Sequence, residues 1–258
     1  MTPQTRKMPE LKALNVSVNA DLVVFDKDGT LIDFHTLWGP RVERAIDATC
    51  SSLGWGQSLN NKLTTALGYD PQTAQVVSQG PLATAPISEL EIVVATILFQ
   101  HQMSWERAKH LACEHFGPVM SALPQPTEIN PLGEVRTAIA RLKSSGVQVA
   151  IATSDDRAPT EAALRELNLT QTVDLLLCAD DPGTPSKPDP SVLHYISQQL
   201  IVSVDRTVMV GDTVSDLVMA RRAGVTLAVG ITGGADKTAE LESHADVLLS
   251  SVDDLVPA

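Results

Sequence analysis

The stretch Val-Val-Phe-Asp-Lys-Asp-Gly-Thr-Leu, from Val23 to Leu31, constrains this chain more than any other. Its apolar residues form a run of the length of a buried strand. The run stops at two carboxylates one residue apart, Asp26 and Asp28, followed by Gly29 and Thr30. Side chains alternate along an extended chain, so both acids can face the same way at the strand's carboxyl end, where open α/β sheets bind ligands. Two neighbouring acids repel and call for a cation, and Gly29 permits a sharp turn that leaves carbonyls free to help hold one. Asp-x-Asp-Gly is also an ordinary turn sequence, so the other strand ends decide whether it carries chemistry.

At 258 residues the chain has room for one large α/β domain or for a core with an insert. Hydrophobic residues at 43% and charged residues at 19% fit a soluble globular enzyme rather than a disordered or coiled protein. Aromatics at 3% mean that the core is mainly aliphatic. The formal net charge of −12 argues against nucleic acid as a partner, because phosphate-backbone binding rests on clustered Lys and Arg, and it leaves room for a divalent metal. Cys50, Cys113 and Cys178 form no Cys-x-x-Cys pair, as expected of a reduced, cytoplasmic protein. The first twenty residues lack a sustained apolar segment, and the stretch Ile92 to Phe99 is too short to span a bilayer, so no membrane role is expected.

Residues 1 to about 19 carry no strong period and are expected to pack loosely before the first strand. Apolar residues at helical spacing (Leu37, Val42, Ala45, Ile46, Ala48, Leu53) predict a helix from Thr36 to Leu53. A second helix is expected over Leu59 to Leu67, stopped by Gly68, then a loop from Tyr69 to Gly80. Two further helices follow, Ser88 to Gln100 and Ser104 to Phe116, the latter with Ser104 as N-cap. The Pro-containing tract Leu123 to Thr127 reads as a boundary.

Beyond it strands and helices alternate. A helix from Leu132 to Ser144 precedes a strand Val147 to Thr153, and a helix Pro159 to Leu167 precedes a strand Val173 to Cys178. A helix opens at Asp189-Pro190, followed by strand Thr207 to Val210, helix Val214 to Ala223, strand Val225 to Val229 and a short strand Ala245 to Leu249. That grammar implies a mostly parallel sheet with helices on both faces. Chemistry-bearing residues follow the apolar runs: Thr153-Ser154-Asp155, then Lys187 between Ser186 and Pro188, then Gly211-Asp212-Thr213-Val214-Ser215-Asp216. Each alone is a common cap or a solvated charge. Together, in this order, they are hard to explain as separate accidents.

Asp26-Lys27-Asp28-Gly29-Thr30-Leu31, Thr153-Ser154, Lys187-Pro188 and Gly211 to Asp216 resemble the four motifs of the haloacid dehalogenase superfamily, particularly its phosphoglycolate-phosphatase-like hydrolases. The likeness covers residues 20 to 33 and about 128 to 250. It implies a Rossmann-like α/β core, residues 1–33 and 128–258, with an all-helical cap domain over 34–127 that closes on the site. It also implies a Mg²⁺-dependent phosphatase acting on a small phosphate monoester through an aspartyl-phosphate. Asp26 would be the nucleophile, and Asp28 the general acid and then base. Thr153, Ser154 and Lys187 would bind the phosphoryl group, with the amides around Gly29 and Thr30 as further donors. Asp26, Asp212, the main chain at Asp28 and waters held by Asp216 would hold the metal.

In the cap, Arg41, Arg44 and Lys62 are candidates to grip an anionic part of the substrate, and His35 to line the entrance. The same motifs serve phosphomutases of the superfamily. The dehalogenase branch typically lacks the second acid, here Asp28, and phospho-accepting receiver domains are shorter and carry no insert after the first strand. The pattern is compatible with a monomer or a homodimer.

Overall fold

A computed structural model describes residues 9–54 and 56–258. Two strands, β1 (Glu10–Ala13) and β2 (Val16–Asn19), form a hairpin before β3 (Leu22–Phe25), which delivers Asp26 directly after its last residue. The inserted segment comprises α1 (Phe34–Leu53), α2 (Gln57–Leu67), a small ladder of β4 (Tyr69–Asp70) with β5 (Gln75–Val76), α3 (Pro81–Thr84), α4 (Ile87–Gln100) and α5 (Trp105–Leu111). A π-helical turn over Ala112–Phe116 continues α5 into α6 (Gly117–Met120). Next come α7 (Val135–Ser144), β6 (Gln148–Ala152), α8 (Arg157–Glu166), β7 (Leu175–Leu177), α9 (Ser191–Leu200) and β8 (Thr207–Gly211). The chain finishes with α10 (Val214–Ala223), β9 (Leu227–Ile231), α11 (Thr238–Leu241), β10 (Val247–Leu249) and β11 (Leu255–Pro257).

Six strands pair in the order β10-β9-β8-β3-β6-β7, every pairing parallel, so the expected α/β class is the observed one. The strand alternation divides the core into two faces. Val23, Phe25, Val149, Ile151, Val208 and Val210 point to the face covered by α7 and α8, and Leu22, Val24, Ala150, Ala152 and Met209 to the face covered by α9 and α10. A strand buried on both faces is apolar at every position, as the wholly buried Leu22 to Phe25 shows. The sheet order reverses at β3: the chain goes first to β6 and β7 on one side, then to β8, β9 and β10 on the other. That switch point opens a crevice at the carboxyl ends of the strands.

The structure alters several local expectations. Of residues 1–19, the first eight lie outside the described residues, and the rest are not loosely packed. Leu11 and Ala13 are fully buried, and β1 is central in an antiparallel sheet ordered β11-β1-β2. Its alternation is only four residues long and one of its partners comes from the far end of the chain, so no local period reveals it. The Tyr69 to Gly80 loop contains the β4–β5 ladder, and α9 begins at Ser191, where the Asp189 carboxylate accepts from the Ser191 amide at 2.9 Å. Gly68 and Gly224 stop their helices in the left-handed conformation that favours glycine.

The insert joins the core through two neighbouring crossings, where Asp33 N donates to Asn130 O at 2.8 Å and Leu132 N to Leu31 O at 3.0 Å. One apolar cluster runs from Val23 and Phe25 through Phe34 and Leu37 to Val94 and Phe116, so insert and core share buried surface. Among the described residues, no helix is long and apolar enough to cross a membrane.

Candidate functional site

The register of the central strands sets Phe25 opposite both Ile151 and Val210, so the residues that follow these strands emerge at one edge of the sheet. There, oxygens of Asp26, Asp212 and Asp216, all buried, lie within 4.8 Å of one another. Asp212 is held on both sides: Thr30 Oγ1 donates to it at 3.0 Å and the Ala235 amide at 2.7 Å. Asp216 sits in the first turn of α10, where Thr213 Oγ1 donates to its Oδ2 at 2.7 Å and the Thr213 side chain caps the helix in return. The capping box therefore fixes the acid that the cluster uses. Lys187, brought in by the loop before α9, reaches Asp26 at 2.5 Å and Asp216 at 2.7 Å.

Burial dominates the electrostatics. It pushes the Asp26 carboxyl up to about 7 against the pull of Lys187, with Asp216 and Asp28 adding to the rise. Burial, then the charges of Asp26 and Asp216, raise Asp212 well above the usual carboxylate range. Burial disfavours the charge on Lys187, yet Asp216 and Asp26 outweigh it and keep the ammonium protonated. The cluster offers oxygen ligands only, the donor set of a hard divalent cation, and the repulsion among its desolvated carboxylates is what such a cation relieves. The residues present fit a metal of that class.

Asp28 belongs to a different group. Its carboxylate is turned to the neighbouring Lys27, whose Nζ donates to it at 2.7 Å and to Asp155 at 2.9 Å. All three residues are buried. Burial raises Asp28, while Lys27 and the Trp38 indole favour its charged form. Lys27 was not singled out from the sequence, because a lysine inside a turn reads as solvated. Asp155 was visible only as a member of a capping-like triplet. Their pairing spans 128 positions and has no sequence signal.

Thr153 follows β6, and its Oγ1 accepts from the Asp155 amide at 3.1 Å, which leaves its hydroxyl hydrogen to donate into the crevice beside Ser154. The Gly29 amide is not available as an anion donor, since it donates to Ile32 O at 2.7 Å, and the Thr30 amide points to the Lys27 carbonyl at 3.4 Å. The tight turn consumes them. A second element the sequence reading missed is the loop after β9: a Cβ at Gly234 would overlap the Asp212 carboxylate, so this turn can close on the acid only with glycine at that position. A glycine pair directly after an apolar run was its available signal.

None of the insert's proposed grips reaches this site. Arg41 is buried, lies 5.2 Å from the Trp38 ring centroid and donates to the Met120 carbonyl at 3.2 Å. Arg44 pairs with Glu128 at 2.6 Å, and Lys62 lies 3.1 Å from His101 Nε2. His35 lines a separate groove, where its Nδ1 accepts from the Val76 amide at 3.4 Å. What the insert does bring is Phe34, Trp38, Leu82, Ile87 and Leu90, which roof a cavity of about 50 Å³ over Asp26, Asp28, Thr153 and Lys187.

Lys27→Met should leave Asp28 and Asp155 buried and unpaired, for an expected loss of about 3–5 kcal/mol. Urea denaturation measures it, and a loss below about 1 kcal/mol would show that the pair does not depend on the lysine.

The acid cluster also sets a pH dependence. Asp26, Asp28 and Asp212 hold protons in the fold that the unfolded chain has released, so without metal stability falls as pH rises from the ordinary carboxylate range to about 7. Groups held low, such as Asp181 and Asp70, change only below that window, and Lys27 and Lys187 only far above it. Denaturation in chelator should show greater stability near pH 5 than near pH 8, with a slope of about 1.4 kcal/mol per pH unit for each such group. A saturating divalent cation should stabilise more at the higher pH. A flat metal-free profile would mean that these carboxyls ionise normally.

The family model for haloacid dehalogenase-like hydrolases matches residues 20–224. The chain is similar to a probable phosphatase, IndB, of Dickeya dadantii (strain 3937), at 27% identity with 92% of each chain covered. It is likewise similar to a phosphoglycolate phosphatase of Agrobacterium fabrum (strain C58), at 25% identity with 92% of this chain and 91% of the relative covered. Among solved structures, one described as a predicted phosphoglycolate phosphatase from Haemophilus somnus 129pt shares the fold, with a TM-score of 0.63 and 18% identity over 91% of this chain and 96% of the other. With the matched region spanning β3, β6, β7 and β8 of the sheet, the four motif loops and the insert, the chain belongs to the haloacid dehalogenase-like hydrolase family and is an enzyme of its phosphatase kind.

Proposed function

We propose that the chain is a Mg²⁺-dependent phosphatase that hydrolyses a small phosphorylated metabolite, a phosphoglycolate- or sugar-phosphate-like monoester, through an aspartyl-phosphate on Asp26. The observation that carries this reading is the placement of Asp26. It ends the central strand, lies in one buried cluster with Asp212 and Asp216, meets Lys187 at 2.5 Å and faces the roofed cavity. Mg²⁺ held by Asp26, Asp212, Asp216 and the main chain at Asp28 would supply charge neutralisation and orientation of the phosphoryl oxygens.

The chain's own residues do the rest. Asp26 attacks phosphorus in line with the ester oxygen; an Asp26 Oδ–P bond forms as the ester P–O bond breaks. Lys187 balances the charge of carboxylate and phosphoryl group, while Thr153 and Ser154 donate to phosphoryl oxygens. Asp28 gives its proton to the leaving alcohol. It then takes one from the water that attacks phosphorus, releasing phosphate and restoring both acids. Burial raises the proton affinity of Asp28, which suits a group that must give and regain a proton.

Residues 34–127 form, in this reading, a cap unit on a core of 1–33 and 128–258, closed by a latch. Ser78 Oγ donates to Asp236 at 3.0 Å and to Glu240, and the Gln79 amide donates to Asp236 at 2.9 Å. The other oxygen of Asp236 accepts from the Val214 amide at 2.7 Å, at the start of the helix that carries Asp216.

Asp26→Asn should abolish turnover and any covalent phosphoryl-enzyme. Asp28→Asn should lower turnover of an alkyl phosphate by about 10²- to 10⁴-fold, affect an activated aryl phosphate less, and let the phosphoryl-enzyme accumulate. Rapid quench with labelled phosphate distinguishes them; label on Asp26→Asn, or wild-type alkyl turnover by Asp28→Asn, reverses the roles. Full activity after exhaustive chelation would remove Mg²⁺, and a requirement for a bisphosphate activator would make the enzyme a phosphomutase.

Ser78→Ala should speed hydrogen exchange at the Gln79 amide and lower kcat/KM by about 2- to 10-fold, the worth of a hydrogen bond or two. Unchanged exchange would dismiss the latch.

A further inference from the structure

The cavity over the acids is charged on one side only. Its floor holds Asp26, Asp28, Asp155 and Asp216, and the one cation that lines it among the described residues is Lys187, already set between Asp26 and Asp216. Its roof is the aromatic and aliphatic surface of Phe34, Trp38, Leu82, Ile87 and Leu90. The hydroxyl of Thr84, which also lines it, is turned to the Gly80 carbonyl at 3.1 Å.

The cations that could have served a second anion are held elsewhere. Arg41 braces the outer side of the roof, over the Trp38 ring and against Met120 O, and Arg44 is paired with Glu128. Lys27 lies between Asp28 and Asp155. A phosphoryl group seated on Asp26 thus meets its counter-charges at the floor, and whatever it is esterified to rises into apolar surface.

At about 50 Å³, against the roughly 10–15 Å³ that the centre of one water needs, the space between floor and roof has room for only a few waters, so a group next to the phosphate lies against the roof residues. A carboxylate there would find hydroxyls such as those of Ser154 and Ser215 but no uncommitted cation, on a lining that also holds Asp28 and Asp155, and a buried charge without a counter-ion is strongly unfavourable. An uncharged alkyl or hydroxyalkyl group would instead cover Leu82, Ile87 and Leu90 and gain from the apolar area removed from water.

We propose that the substrate of this site is the phosphate ester of an uncharged alcohol, and that the roof rejects esters bearing a second anionic group beside the phosphate. The inference rests on the phosphatase reading and narrows its substrate class: within that class it excludes phosphoglycolate itself as the preferred substrate.

The test compares three esters with the purified chain and Mg²⁺, by phosphate release: phosphoglycolate, its uncharged isostere phosphoglycolamide, and n-propyl phosphate. p-Nitrophenyl phosphate reports basal phosphatase activity. The amide and the propyl ester should exceed phosphoglycolate in kcat/KM by about tenfold or more, the penalty of an unpaired buried charge. Ala83→Arg would bring a cation to the rim of the roof from a half-buried position. It should lower the amide-to-glycolate ratio by about tenfold, a comparison within one variant that loss of fold does not mimic. If p-nitrophenyl phosphate is hydrolysed and phosphoglycolate equals or outruns its amide, the inference is wrong and the phosphatase reading stands. If no ester releases phosphate, the phosphatase reading fails and takes the inference with it.

Discussion

Repulsion among Asp26, Asp212 and Asp216 is the constraint around which this molecule is built. Three carboxylates with oxygens within 4.8 Å, removed from water, are unfavourable unless positive charge sits among them. The sheet brings them together regardless, because β3 and β8 are neighbours in register and their apolar side chains are packed on both faces. Packing on the sheet thus holds a charge arrangement that the cluster alone would not adopt. Lys187 offsets part of it, and a hard cation fits the remainder.

The two acids of the first motif, one residue apart, are separated chemically by their counter-ions. Asp26 belongs to Lys187 and the carboxylate cluster, whereas Asp28 belongs to Lys27 and Asp155. Two adjacent acids with different partners can hold different protonation states, the condition for one to serve as nucleophile while the other carries a proton. Lys27 makes that separation possible from inside the motif. It also ties the turn after β3 to the turn after β6, so the strand ends are joined by a buried ion pair as well as by the sheet.

Toward the acids the insert presents shape and apolar surface rather than cations. Its helices share one apolar cluster with the core, Arg41 lies against the Trp38 ring rather than in the cavity, and the face it turns to the acids is mainly apolar. A dry roof over a charged floor raises the strength of every electrostatic interaction beneath it. Polar contacts between insert and core include the bonds from Ser78 and Gln79 to Asp236, from Ser121 to Asp156 and from Arg44 to Glu128.

By itself the sequence determined the parallel α/β core, the position of three of the four motifs at strand ends, and the acids, hydroxyls and lysine that face the crevice. Runs such as Leu22 to Phe25 and Thr207 to Gly211 are apolar at nearly every position because both faces are covered, and that signal is local. Helix stops such as Gly68 and Gly224 were equally legible, since their left-handed backbone needs glycine. Tertiary structure alone decided the placement of β1 beside β11, the pairing of Lys27 with Asp155, the closure of the Gly233-Gly234 turn on Asp212, and the direction in which Arg41, Arg44 and Lys62 point. Each of these depends on a partner far away in the chain. A side chain's charge can be read from its letter, but whether that charge meets solvent, substrate or a counter-ion is set by what the fold packs against it.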